Sequence, residues 1–216
     1  MNFLKAITES IFPEKCVGCG ARGALICDFC KNKIPSAETP EYGFITSVFS
    51  YTDPRVRKLI LLLKYGNGRR VAKIFAPYLL ASLTEFLGEE KLFQGCAPVL
   101  LVPVPLTKKR MNKRGYNQSQ LLVEAIVRND STHNLILEKN LVSKIKDTVP
   151  QAEIKKRAQR LSSQHDCFCV LPNKKTKNEI IILVDDVTTT GATLKALHDL
   201  LKSDGFKKVY ALTVAH

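Results

Sequence analysis

Two adjacent carboxylates, Asp185 and Asp186, follow the apolar run Ile180–Val184 and precede Val187 and a hydroxyl-rich turn, Thr188, Thr189, Thr190, Gly191, Ala192 and Thr193. Five apolar residues in a row read as a strand buried on both faces of a parallel sheet. Open α/β sheets hold their ligands at the carboxyl ends of such strands. The turn feeds a helix expected from about Ala192 to Ser203, where free backbone N–H groups and the helix dipole make a phosphate cradle. Threonine hydroxyls add donors, and the lack of bulk lets the backbone approach a ligand. The two carboxylates repel phosphate but suit hydroxyl groups, because an ionised carboxylate only accepts hydrogen bonds. Phosphate on one side and a diol on the other describe a ribose 5-phosphate. The competing reading is a structural loop network built on the two acids.

A second constellation points to metal. Cys16-Val-Gly-Cys19 and Cys27-Asp-Phe-Cys30 are two C-x2-C pairs, each able to grip one tetrahedral ion with two thiolates. Together they form a closed four-thiolate zinc site, structural in character because no coordination position is left open. Gly18, Gly20 and Gly23 supply the tight turns; redox-active thiols are the alternative. Cys96, Cys167 and Cys169 read as small buried apolar residues, and His133, His165, His198 and His216 show no metal spacing.

The elements that must position these groups follow from periodicity. Residues 3–12 pattern as a short amphipathic helix, 31–43 as a linker, and Phe44–Tyr51 as a strand. Asp53-Pro54 opens a helix that stops near Gly66, and a longer one fills 69–87 and closes at Gly88. Val99–Val104 is a strand whose far end should leave the ladder at Pro103. Asn117-Gln-Ser-Gln120 resembles a capping box for a helix to about Val127, and Pro150–Leu161 reads as a basic helix. A final strand spans Lys208–Val214 after a stop at Gly205. Strands alternating with helices predict an α/β domain with a mostly parallel sheet. Residues 1–40 are expected to hold the helix, the four-cysteine module and the linker, and residues 41–216 the α/β domain.

The chain has 216 residues, 45% apolar and 25% charged, proportions that exclude a disordered or collagen-like protein. Its longest clean aliphatic runs fall far short of the ~20 residues of a membrane span, and the start lacks a secretory pattern. No membrane insertion and a cytoplasmic location are the expectation. Net charge is +13, and segments 55–73, 108–114 and 144–160 together carry +16, leaving the remainder slightly acidic. Such concentration attracts polyanions, whether nucleic acid or a phosphorylated small molecule; solvated helix faces are the bland alternative. Tyr65 and Tyr116, beside basic residues, could stack on bases or belong to the core.

The stretch Leu183-Val-Asp-Asp-Val-Thr-Thr-Thr-Gly-Ala-Thr193 resembles the phosphoribosyl pyrophosphate signature of type I phosphoribosyltransferases. The four-cysteine module, Leu101-Val-Pro-Val-Pro105, Arg114-Gly-Tyr-Asn-Gln118, and Thr148-Val-Pro-Gln151 with Arg157, Arg160 and Phe168 resemble the ComF family of bacterial competence proteins. The resemblance covers nearly the whole chain. It implies a type I phosphoribosyltransferase-like sheet flanked by helices, with phosphoribosyl pyrophosphate as donor together with Mg2+. It implies that Asp185 and Asp186 hold the ribose hydroxyls and that the residues from Val187 to Thr193 wrap the 5-phosphate. It also implies that Arg110, Arg114 and Gly115, with Lys108 and Lys109, lie in the pyrophosphate loop, and that segment 148–168 closes over the site. The function it implies is a phosphoribosyl transfer to an unknown acceptor in a protein of DNA uptake and natural transformation. The alternative on the same fold is a non-catalytic protein that binds single-stranded DNA, with other competence proteins as partners.

Overall fold

The computed structural model describes residues 14–89, 98–145, 167–171 and 179–216. Five described strands form one parallel sheet: β1 (Ile45–Phe49), β2 (Val99–Pro103), β3 (Leu135–Leu137), β6 (Ile180–Val187) and β7 (Lys208–Ala215), in the order β1-β7-β6-β2-β3. Two short strands, β4 (Val142–Lys144) and β5 (Phe168–Val170), pair as a separate antiparallel ribbon. The helices are α1 (Asp28–Lys31), α2 (Pro54–Tyr65), α3 (Gly68–Glu89), α4 (Lys108–Arg114), α5 (Gln118–Asn129) and α6 (Ala192–Ser203).

Alternation along the strands divides the core into two layers. Ile180, Ile182 and Val184 of β6 face a cluster with α2, α3, α5 and the cysteine module; Ile181 and Leu183 face another, built with α6 and the β4–β5 ribbon. Helix α5 connects β2 to β3 across one face, while α6 connects β6 to β7 across the other. Since β2 and β6 are neighbours, their outgoing connections diverge in opposite directions. That divergence opens a crevice at the carboxyl ends of β2 and β6, the topological switch point of the sheet.

Local signals explain most boundaries. Asp53 caps α2 by accepting from the Arg55 amide at 2.8 Å, with Pro54 in the first turn. Three boundaries differ from expectation. β2 does not leave its ladder at Pro103: that residue pairs with Val184, and the Val104 amide still bonds the Val184 carbonyl at 2.9 Å. Helix α3 runs through Gly88 and retains Pro77 inside. Asn117 caps α5 through the Ser119 amide at 2.9 Å; Gln120 bonds Glu124 and closes no capping box. The expected linker 31–43 is tied to the sheet, with Ala37 and Ser50 amides bonding across the outer edge of β1.

Among the described residues, α3 is one helix long and apolar enough to cross a membrane by length and composition. Its Val71, Phe75, Ala76, Leu79 and Leu83 are buried in the protein core. The expected helices at 3–12 and Pro150–Leu161 lie outside the described residues, as do Cys96, Arg157 and Arg160. Phe75 is fully enclosed, so Phe75→Ala should cost about 3–5 kcal/mol of stability in urea unfolding. A cost below about 1 kcal/mol would contradict that placement.

Candidate functional site

The crevice is furnished from β6, α5 and the two loops that leave β2 and β6. Asp185 and Asp186 are the sixth and seventh residues of β6, inside the strand and not in the loop after it. Successive strand residues point to opposite faces. Asp186 therefore shares the covered face of Ile180, Ile182 and Val184 and is 4% exposed, whereas Asp185 is only partly buried.

Each carboxylate has protein partners. Asp185 Oδ1 accepts from Ser119 Oγ at 2.8 Å and from the Asp186 amide at 2.8 Å. Asp186 Oδ2 lies 2.7 Å from Lys64 Nζ, an ion pair in distance though not aligned as a hydrogen bond. Its Oδ1 receives Gln118 Nε2 at 3.5 Å. Asn117, Gln118 and Ser119 are consecutive buried polar residues at the start of α5, so the positive end of that helix also faces the acids. Although the residue as a whole is only partly buried, its carboxyl group is withdrawn from water. That desolvation, with the neighbouring Asp186 charge, pushes the Asp185 carboxyl up to about 7.

The turn after β6 leaves its amides open. Thr188 N is used by the Ala215 carbonyl, but the first helical bond of α6 is Lys195 N to Gly191 O, so the amides of Gly191 to Leu194 have no helical partner. Among the described residues, no side chain caps that end. Gly191 holds φ +66, and a Cβ there would lie 2.6 Å from the Tyr42 ring, so backbone conformation and space both require glycine. The result is an uncapped cluster of donors beside a pair of acceptors.

The loop after β2 contains α4, a short helix that sequence reading treated as loop. Thr107 caps it through the Arg110 amide at 3.3 Å, Gly115 ends it at φ +76, and it buries no residue. Arg114 Nη1 donates to Gln118 Oε1 at 2.7 Å, and its guanidinium sits 5.1 Å from the Tyr65 ring centre. Arg114 thus reaches the carboxylates through one intervening amide. Arg110 is exposed on the same helix, with no side-chain contact to the acids. Tyr116 packs inward, its hydroxyl donating to the Leu63 carbonyl at 2.9 Å, while Tyr65 remains 60% exposed. Between the basic segments lies a groove of 370 Å³, lined by Gly66–Arg70, Gly115, Tyr116 and Leu121. Lys64, Gln118 and Ser119 were not named as site residues from sequence. Lys64 was visible only as one charge in a basic helix, Ser119 only within the capping stretch, and Gln118 both there and as the last residue of the Arg114-Gly-Tyr-Asn-Gln118 motif.

The four cysteines converge. Their sulfurs lie within 4.8 Å of one another, and Cys27 Sγ is 3.7 Å from both Cys16 Sγ and Cys19 Sγ. A tetrahedral ion with bonds of about 2.3 Å needs sulfur separations of about 3.8 Å, so the cluster is compatible with a zinc site. A Cβ on Gly18 would strike Cys30 Sγ at 2.7 Å, which explains the glycine in the first knuckle. Arg55 pins the module to α2, donating to the Cys30 carbonyl at 2.9 Å and the Lys33 carbonyl at 2.8 Å.

Residues 101–216 match the family described as Phosphoribosyl transferase domain. This chain belongs to that family. Its relatives include Competence protein F of Haemophilus influenzae, 26% identical over 90% of this chain and 81% of that protein. Competence protein ComFC of Bacillus subtilis is 30% identical over 68% of this chain, which spans about half (53%) of that relative. DNA utilization protein YhgH of Salmonella typhimurium is 28% identical over 88% of this chain and 78% of its own length. The resemblance to the ComF family is thereby borne out, as is the phosphoribosyltransferase-like sheet with its four-cysteine cluster. Among solved structures, a hypoxanthine phosphoribosyltransferase of Staphylococcus aureus aligns over 66% of this chain and 61% of its own, at 17% identity and TM-score 0.37.

Two outcomes follow from this geometry. Elemental analysis should find about one zinc per chain, and Cys27→Ser should lose it together with thermal stability; metal-free wild type of unchanged stability would refute the site. The raised Asp185 carboxyl binds a proton in the folded state that the unfolded chain has released, so stability falls as pH rises from about 4 to 7. Asp185→Asn removes that loss. Its melting temperature should rise relative to wild type between pH 4.5 and 8, and a constant offset would contradict the raised value.

Proposed function

We propose that the crevice binds the ribose 5-phosphate portion of phosphoribosyl pyrophosphate with Mg2+ and that the protein transfers the phosphoribosyl group to an acceptor. The observation that carries this reading is the uncapped amide cluster of Gly191–Leu194, placed immediately after two carboxylates at the switch point. In it, Val187, Thr188, Thr189, Thr190, Gly191, Ala192 and Thr193 surround the 5-phosphate, and Asp185 with Asp186 meets the ribose hydroxyls. The crevice offers carboxylate and hydroxyl oxygens, the hard donors that suit Mg2+; the ion itself would be held largely by substrate oxygens and water. When bound, it would supply neutralisation of the leaving pyrophosphate. The bond from C1 to pyrophosphate breaks as the acceptor's nucleophile arrives, through an oxocarbenium-like state. The protein's contribution is to orient the sugar and to stabilise the departing charge with Arg110 and Arg114 on α4.

A second reading has a specific observation in its favour. The 370 Å³ groove joins the two described basic segments, and exposed Tyr65 stands at the α2 end, an arrangement suited to single-stranded DNA. The relatives' names, competence and DNA utilization, agree with a role in DNA uptake. Both readings fit one molecule, with residues 1–40 as a zinc-stabilised module and linker and residues 41–216 as the phosphoribosyltransferase-like domain.

Calorimetric titration of phosphoribosyl pyrophosphate with Mg2+ tests the first reading. Wild type should bind, and Asp185→Asn should weaken binding by roughly tenfold or more, the loss of a charge-assisted hydrogen bond. No binding to a folded, metal-loaded wild type would refute it. DNA binding that falls with salt, at a log–log slope of about −0.7 per contacted phosphate, would then carry the function.

A further inference from the structure

We infer that Gln118 is a positioning residue that fixes Arg114, at the anion end of the crevice, to Asp186 at its hydroxyl-binding end. The inference deepens, and rests on, the ribose-phosphate reading of this site.

The chemistry of the three groups allows one arrangement. A guanidinium only donates and an ionised carboxylate only accepts, so a side chain between them must present an acceptor to one and a donor to the other. A primary amide does both. Gln118 Oε1 takes Arg114 Nη1 at 2.7 Å, and Nε2 faces Asp186 Oδ1 at 3.5 Å. The amide is itself 4% exposed, so water does not compete for either end. Arg114 is held from its other side as well: Nη2 lies 3.4 Å from Tyr65 Oη, and the guanidinium stacks on that ring. Tyr65 follows Lys64, whose ammonium meets the second oxygen of Asp186. Asp186, Gln118, Arg114, Tyr65 and Lys64 therefore form a closed circuit through the ends of β6, α5, α4 and α2.

The circuit matters because α4 has no apolar anchor. It buries none of its seven residues, so side-chain ties and not packing set its position. A guanidinium free to rotate on α4 loses conformational entropy when an anion arrives; one already held by Gln118 loses less. Gln118 touches no bound ligand in this scheme, and its effect on an incoming anion passes through Arg114.

The test uses three ligands on the full, metal-loaded protein: magnesium pyrophosphate, ribose 5-phosphate and phosphoribosyl pyrophosphate. Gln118→Met preserves volume and removes both polar contacts. It should weaken pyrophosphate and phosphoribosyl pyrophosphate by roughly tenfold and leave ribose 5-phosphate within about twofold. Combined with Arg114→Ala, it should weaken pyrophosphate no further than Arg114→Ala alone. Unchanged pyrophosphate affinity overturns the inference, and so does an equal loss for all three ligands, which is the mark of a merely structural residue. Gln118→Asn, too short to span the two partners, should reproduce the selective loss if the Met variant fails to fold. Guanidinium NMR gives a readout independent of ligand: slow rotation of the Arg114 Nη groups in wild type and fast rotation in Gln118→Met. Wild type that binds none of the three ligands refutes the ribose-phosphate reading itself, while equal rotation in both proteins refutes the positioning role.

Discussion

An ionised carboxylate on the covered face of a central strand is the constraint around which this molecule is arranged. Asp186 occupies a position that strand alternation would otherwise give to another isoleucine or valine, and an unpaired charge there would cost several kcal/mol. Satisfying it requires three elements to meet at one point: the end of β6, the last turn of α2 for Lys64, and the first turn of α5 for Gln118. A defined spatial relation among those elements then follows, and with it the shape of the crevice.

Helix α2 carries the consequence outward. Its twelve residues span about 18 Å. At one end Arg55 donates to carbonyls of the cysteine module; at the other Lys64 pairs with Asp186. Helix α2 thus links the module to the crevice, and the module's Cys16, Leu25, Ile26 and Cys30 belong to the same core layer as α3 and α5. The four-cysteine cluster and the geometry of the carboxylates therefore share a mechanical path.

The electrostatic pattern has the same logic. The crevice floor is acidic, whereas its surroundings are basic: Arg110, Lys113 and Arg114 on α4, with Arg69 and Arg70 across the 370 Å³ groove. A ligand with both phosphates and hydroxyls is oriented by that contrast before any close contact forms. Arg114 and Asp186 keep their opposite charges a fixed distance apart because a neutral amide stands between them.

What the sequence by itself determined was whatever depends on local spacing. The apolar run before Asp185, the Thr188–Thr193 turn, the two C-x2-C pairs and the Asp53-Pro54 start each encode their structure within a few residues, and each formed where periodicity and capping placed it. Tertiary structure alone decided the rest. Whether Asp185 and Asp186 act as equals depends on which helices cover each face of β6, and local sequence does not state this. Lys64 and Gln118 became site residues because α2 ends and α5 begins beside β6, at separations of 122 and 68 positions. Pro103 stayed in its ladder because the next amide, Val104, reaches Val184. Local rules govern a residue's own conformation, while a partner from a distant element is chosen by the packing of the whole sheet.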